Sequence, residues 1–189
     1  MISDSIQNIF FFGVFIMQKH KTCSFFGHRK IELTNSLKQR VKDCIEDLII
    51  NYNVQTFSFG SKSEFNDLCH FVVSELKEKY PNIKRICYTC KSEGCTLESE
   101  RQELEKSYSR ILKQEIHLLG FEEEFEHKTK YTAGKASYIK RNQAMINDSD
   151  YCVFYYNKNY IPPTKTNSVT KLAYEYATKK NKNVINLFK

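Results

Sequence analysis

A chain of 189 residues with 41% hydrophobic and 14% aromatic residues has enough apolar mass for one α/β domain with a real core, and this excludes a disordered protein. Only 6 Gly and 3 Pro argue against low-complexity linkers, and seven cysteines, an odd number scattered over the chain, do not make a secreted disulfide scaffold. A formal charge of +7 favours anionic partners such as nucleotides, nucleic acid or a membrane surface, without choosing among them. Part of that excess falls where helices should end, at Lys77, Lys79, Lys179, Lys180 and Lys182, and there it complements the helix dipole.

In chain order, residues 1–17 hold a nine-residue apolar run, Ile9 to Met17. It is too short to span a bilayer and lacks the basic n-region of a signal peptide. Residues 1–20 are therefore read as an N-terminal extension, with a true start at Met17 as the preferred explanation and residues 21–189 as the domain. The expected compartment is the cytoplasm, with reduced thiols and no membrane partner. A homo-oligomer is left open.

Thr22 to Phe26 is a β-forming run that stops at Gly27-His28-Arg29. Helical periodicity follows at Leu33, Leu37, Val41, Cys44, Ile45, Leu48 and Ile49. Val54 to Phe59 is a second strand, stopping at Gly60-Ser61-Lys62-Ser63-Glu64. Ser61 and Glu64 have capping-box spacing, so Ser61 is expected to cap a helix whose stripe is Phe65, Leu68, Cys69, Val72, Val73 and Leu76, ending before Pro81.

Lys84 to Thr89 reads as a third strand. Cys87, Cys90 and Cys95 invite a zinc reading, which is set aside because residues three apart on a strand face opposite ways and no second pair follows. Residues 91–97 read as loop, Glu98 to Lys113 as helix and Glu115 to Leu119 as a short strand. The acidic cluster Glu122, Glu123, Glu124 and Glu126 reads as solvated surface. Tyr131 to Asp150 reads as a helix with Arg141 and Asn142 towards its middle. Tyr151 to Tyr156 is a strand, Val169 to Ala177 the core of a last helix, and Asn183 to Phe188 a last strand.

Strands alternating with helices predict a doubly wound, mostly parallel Rossmann-like sheet with helices on both faces. Ligands of such sheets lie at the carboxyl ends of the strands, where three loops fall: Gly27–Arg29, Gly60–Glu64 and Thr166–Lys171. Glycine turns, hydroxyls and cations beside helix N-termini suit a phosphate. The expected contacts are Gly27, Gly60 and Ser61 for turns and N–H donors, with Arg29, Lys62, Arg141 and Lys171 for charge. His28 or Asn142 would bond ribose or base, with Glu64, Ser168 and Thr170 on the same rim.

With those loops in hand, the sequence resembles the YpsA-like branch of the SLOG superfamily, Rossmann-like domains named for the DNA-processing SMF proteins and the LOG cytokinin-activating enzymes. The resemblance is carried by Thr22 to Arg29, Phe59 to Asp67, Lys77 to Pro81, Gly134 to Ala136, Tyr138 to Asn142, Met145, Ser149-Asp150 and Ser168 to Lys171. It implies a pocket for a nucleotide or ADP-ribose-like ligand and requires no further cofactor. LOG-like enzymes hydrolyse nucleoside monophosphates at the N-glycosidic bond with an arginine before the strand and a glutamate after a Gly-Gly-x-Gly-Thr loop. Arg141 matches the arginine and Thr170 the threonine, but Ala173 stands at the glutamate position, Glu175 comes two residues late, and Val169 replaces a glycine. The first expectation is accordingly a nucleotide-binding protein without an assigned reaction. A phosphoribohydrolase using Arg141 with Glu175 or Glu64 comes second, and a single-stranded DNA-binding protein third.

Overall fold

The computed structural model describes residues 19–60, 63–90, 98–113, 121–127, 135–161 and 168–189. The calls on residues 1–17, Ser61, Lys62, residues 91–97 with Cys95, the strand at Glu115 to Leu119, and Gly134 lie outside the described residues. Among the described residues six strands and five helices alternate: β1 (Lys21–Gly27), α1 (Asn35–Tyr52), β2 (Val54–Phe59), α2 (Glu64–Lys79), β3 (Lys84–Cys90), α3 (Glu98–Leu112), β4 (Glu123–His127), α4 (Lys135–Asn147), β5 (Tyr151–Tyr155), α5 (Val169–Lys179) and β6 (Asn183–Asn186).

The strands form one sheet in the order β4-β3-β2-β1-β5-β6, every neighbouring pair parallel. From β1 the chain steps outward to β4, then returns to lay β5 on the other side of β1. Right-handed crossovers turn that reversal into a change of face. One buried cluster accordingly joins residues of α1, α2 and the end of α3 to one side of the sheet, through Leu37, Val41, Phe65, Val72 and Tyr108. The other joins Met145 and Ile146 of α4 to Ala173 and Ala177 of α5.

Local sequence accounts for most of this. Thr34 caps α1 by accepting from Leu37 N, and Asn53 ends it in the left-handed region at φ 57°. Helix α2 is buried nearly all round, including Asn66, His70 and Ser74, because α1 and α3 flank it in the same cluster. Its cap is Ser63, whose Oγ accepts from Asn66 N, and not the predicted Ser61. The carboxylate of Glu64, the first residue of the helix, is held elsewhere, as described below.

The acidic run also carries a strand that the sequence analysis did not assign, while Glu122 and Glu123 are exposed as expected. Glu123 to His127 forms the edge strand β4, and a sheet edge tolerates charged residues. Glu123 pairs with Lys84 of β3 at 3.5 Å. Glu122 receives Arg85 Nε at 3.0 Å and Nη2 at 2.6 Å, while Nη1 of the same buried guanidinium donates to Ser74. Burial raises the Glu122 carboxyl, but the bonds from the Arg85 side chain and backbone outweigh it and bring it down to about 2.

The six described cysteines are free, Cys87 and Cys90 both buried in β3. No group of three metal-binding side chains occurs among the described residues. Among them, too, no helix is long and apolar enough to cross a membrane.

Candidate functional site

Register β1–β5 sets Gly27 beside Tyr155, so these strands end together and their chains then leave to opposite faces. A crevice must open at such a point, which is where open α/β sheets bind their ligands. A cavity of about 230 Å³ lies there, lined by the loop after β1, the end of β2, the N-termini of α2 and α5, and the buried side of α4.

From β1 come Gly27, His28 and Arg29. A Cβ on Gly27 would stand 2.4 Å from Phe65 Cβ, so glycine is required for α2 to pack against the strand end rather than for a turn. His28 is buried; its Nε2 accepts from Asn157 N at 3.2 Å, which leaves the proton on Nδ1. Burial also lowers its pKa below the usual histidine value, so the ring is neutral at pH 7.

From β2 and α2 come Gly60, Ser63 and Asn66. The Gly60 N–H, expected to meet a phosphate, instead donates to Asn66 Oδ1 at 3.2 Å. Glu64 faces the loop after β1: its N–H donates to Arg29 O at 3.1 Å, and its carboxylate takes Ile31 N at 2.8 Å and Lys30 Nζ at 2.6 Å. It therefore pins that loop from behind and does not line the cavity.

Helix α4 contributes Tyr138, Arg141 and Asn142. The inward stripe of α4 is Ser137, Arg141 and Met145, spaced by four, so the helix period that buries Met145 also buries Arg141. Its guanidinium donates to Asn142 Oδ1 at 3.2 Å, lies 5.4 Å from the centre of the Tyr138 ring, and comes within 3.0 Å of where a Gly60 Cβ would be. The missing side chain at Gly60 is what gives Arg141 its place.

The last wall is Ser168, Val169 and Thr170 at the start of α5. Ser168 Oγ caps the helix by accepting from Lys171 N at 3.0 Å, and Thr170 Oγ1 donates to Gly27 O at 3.0 Å, tying α5 to the end of β1. Lys171 and Glu175 do not line the cavity; they pair with each other at 3.8 Å on the exposed side of α5.

The structure thus brings Gly27, His28, Arg29, Gly60, Arg141, Asn142, Ser168 and Thr170 together, and leaves Glu64, Lys171 and Glu175 outside the lining. Sequence reasoning missed Ser63, Asn66, Tyr138 and Tyr160. Tyr138 was legible in principle, three residues before Arg141 and so on the same helix side. Tyr160 lies on a loop, where no periodicity marks it. Chemically the cavity offers a buried guanidinium, a second arginine and two helix N-termini, a set that stabilises an anion. No carboxylate lines it among the described residues.

Three comparisons bear on this. The family model described as "YspA SLOG family" (YpsA) matches residues 18–188. No curated protein matches the chain. Among solved structures, the DNA processing protein A of Helicobacter pylori, in a study of its single-stranded DNA binding mode, is similar in fold with a TM-score of 0.53 at 13% identity. The match covers 87% of this chain but 63% of that one, so the chain spans less than two thirds of its length. On the near-complete match to the family model, the chain belongs to the YpsA family of SLOG proteins.

Proposed function

We propose that this protein binds a nucleotide or nucleotide derivative by its phosphate, in the crevice between β1 and β5, and that it acts as a sensor or adaptor rather than as a hydrolase. The observation that carries the reading is the buried Arg141 guanidinium, aimed into a cavity onto which α2 and α5 also open their N-termini. A phosphate there would replace solvent with a cation and helix-end N–H groups, and charge-assisted bonds of this kind contribute about 1.5–3 kcal/mol each.

The hydrolase reading needs a carboxylate at the reacting bond, and its two candidates are engaged elsewhere. Glu64 holds Lys30 and Ile31, and Glu175 is exposed beside Lys171. Neutral His28 has its Nε2 occupied by Asn157 and so is a poor proton acceptor. The DNA reading draws support from the likeness in fold to the DNA processing protein and from the net charge, but eleven of the aromatic side chains among the described residues are buried in the core and closed to bases.

The test is a thermal-shift screen of the full chain against nucleoside 5′-monophosphates, ADP-ribose and NAD, with mass spectrometry of whatever co-purifies. At least one should raise the melting temperature, and Arg141→Lys, which keeps the charge but loses the fork, should weaken it about 10-fold or more. No shift with any nucleotide, or equal binding by the variant, would count against the reading. Turnover of a nucleotide that Arg141→Ala abolishes would restore the hydrolase.

A further inference from the structure

We propose that Tyr160, fixed against His28 at the mouth of the cavity, is the stacking shelf for a nucleobase, so that the ligand is a mononucleotide rather than a phosphosugar or a free anion. This rests on the phosphate-binding reading above and adds the other end of the ligand. Tyr160 is 45% exposed, although tyrosine carries a large apolar ring and the neighbouring Ile161 is 82% exposed as well.

That exposed ring is held in place. Its centroid lies 4.3 Å from that of His28, tilted by 42°, and Tyr156 flanks His28 at 6.1 Å. The backbone is fixed by the same set of residues: Tyr160 N donates to Asn157 O at 3.1 Å, and Asn159 N to Asn157 Oδ1 at 2.9 Å. Asn157 N in turn donates to His28 Nε2 at 3.2 Å. Residues 157–160 are thus a closed turn anchored on a buried imidazole, presenting one aromatic ring that is still partly open to solvent. Ordering a ring before the ligand arrives lowers the entropy lost on binding.

Size points the same way. A cavity of about 230 Å³ is below the about 300–1,000 Å³ usual for a whole small-molecule ligand. It takes a phosphate and sugar against Arg141 and leaves a base at the rim, where Tyr160 lines the opening. Base–aromatic stacking is tolerant of sequence because every base has a π-face, so Tyr160 recognises a base as a class and not adenine in particular.

The experiment is isothermal titration of the full chain with adenosine 5′-monophosphate and ribose 5-phosphate, on wild type, Tyr160→Ala and Tyr160→Phe. Far-UV circular dichroism checks that the exposed substitution leaves the fold unchanged. Wild type should prefer the nucleotide. Tyr160→Ala should weaken it about 5- to 150-fold, the range that base stacking gives, and leave ribose 5-phosphate within about twofold. Tyr160→Phe should keep the nucleotide affinity.

If Tyr160→Ala weakens both probes equally, or neither, the shelf is refuted while phosphate binding stands. If wild type binds neither probe, the phosphate-binding reading falls and the shelf with it. A single-stranded oligonucleotide that binds more tightly than the mononucleotide, with affinity falling steeply in salt, would overturn the mononucleotide assignment.

Discussion

Replacing Gly27 with alanine tests how the end of β1 is built. The added Cβ would lie 2.4 Å from Phe65 Cβ and 2.6 Å from both Cγ and Cδ1 of that ring, against an ordinary carbon contact of about 3.5–4.0 Å. Phe65 cannot swing clear. It is fully buried, its ring stacks on Tyr155 at 5.5 Å, and its Cβ moves only if the first turn of α2 moves. That turn also carries Glu64, which holds the backbone of residues 29–31. Overpacking of this kind costs about 1–3 kcal/mol, which for a chain of this size lowers Tm by roughly 2–12 °C. The assay is urea unfolding of four proteins: wild type, Gly27→Ala, Phe65→Ala and the double variant. Removing the ring relieves part of the clash, so Gly27→Ala should cost at least about 1 kcal/mol less in the Phe65→Ala background. A neutral Gly27→Ala would mean that the close approach of Phe65 does not require glycine, and the same cost in both backgrounds would mean that the ring takes no part in the clash.

Three further outcomes follow from charges outside the cavity. Arg85→Ala should destabilise by about 2–3 kcal/mol, below the 3–5 of a fully buried pair because the Glu122 side chain is 28% exposed, and Glu122→Gln should cost less; urea midpoints check both. Because Glu122 is held at about 2 when folded, below its ordinary 4.5, its contribution is complete above pH 4.5 and is lost as pH falls towards 2, a slope that Glu122→Gln should remove. Asp67 runs the other way. Burial, then the nearby Glu64, raises its carboxyl from 3.8 to about 7, against a weaker opposing bond from Tyr108. Between those values the folded state holds the proton and the unfolded chain does not, so stability falls as pH rises through the window, and Asp67→Asn should be more stable than wild type at pH 8 but not at pH 4.

Much of the fold was legible because burial writes periodicity into the chain. Val54 to Phe59 was bounded to the residue, since Val54, Thr56, Phe57 and Phe59 favour a strand and Asn53 and Gly60 close it on either side. What sequence could not decide were contests settled by tertiary contacts. Ser61 and Ser63 both precede a helix with plausible spacing, and Glu64 is bound by Ile31 and Lys30, a loop more than 30 residues earlier in the chain. The Glu-rich run was read as surface, which Glu122 and Glu123 are, but not as a strand, because a strand signal needs apolar alternation and an edge strand beside Lys84 and Arg85 can be acidic. Gly27 was picked out as a turn; only the position of Phe65 reveals the packing role.

The candidate site divides in the same way. Arg141 was found through resemblance, and its burial could also have been read from the spacing to Met145. Thr170 and Gly60 reach the cavity, but with polar groups already bonded to Gly27 O and Asn66 Oδ1, so they shape it more than they offer free donors. Lys171 has the right charge on the wrong side of α5, where Glu175 meets it one turn on. A helix N-terminus identifies a place for an anion, but not which neighbouring side chains face it.

Difference density from crystals soaked in adenosine 5′-monophosphate examines the central claim at atomic level. The account predicts the phosphate between the Gly27–Arg29 loop and the Ser168–Thr170 end of α5, within hydrogen-bonding distance of the Arg141 guanidinium. A nucleotide bound elsewhere on the molecule, with that crevice holding only solvent, would contradict it.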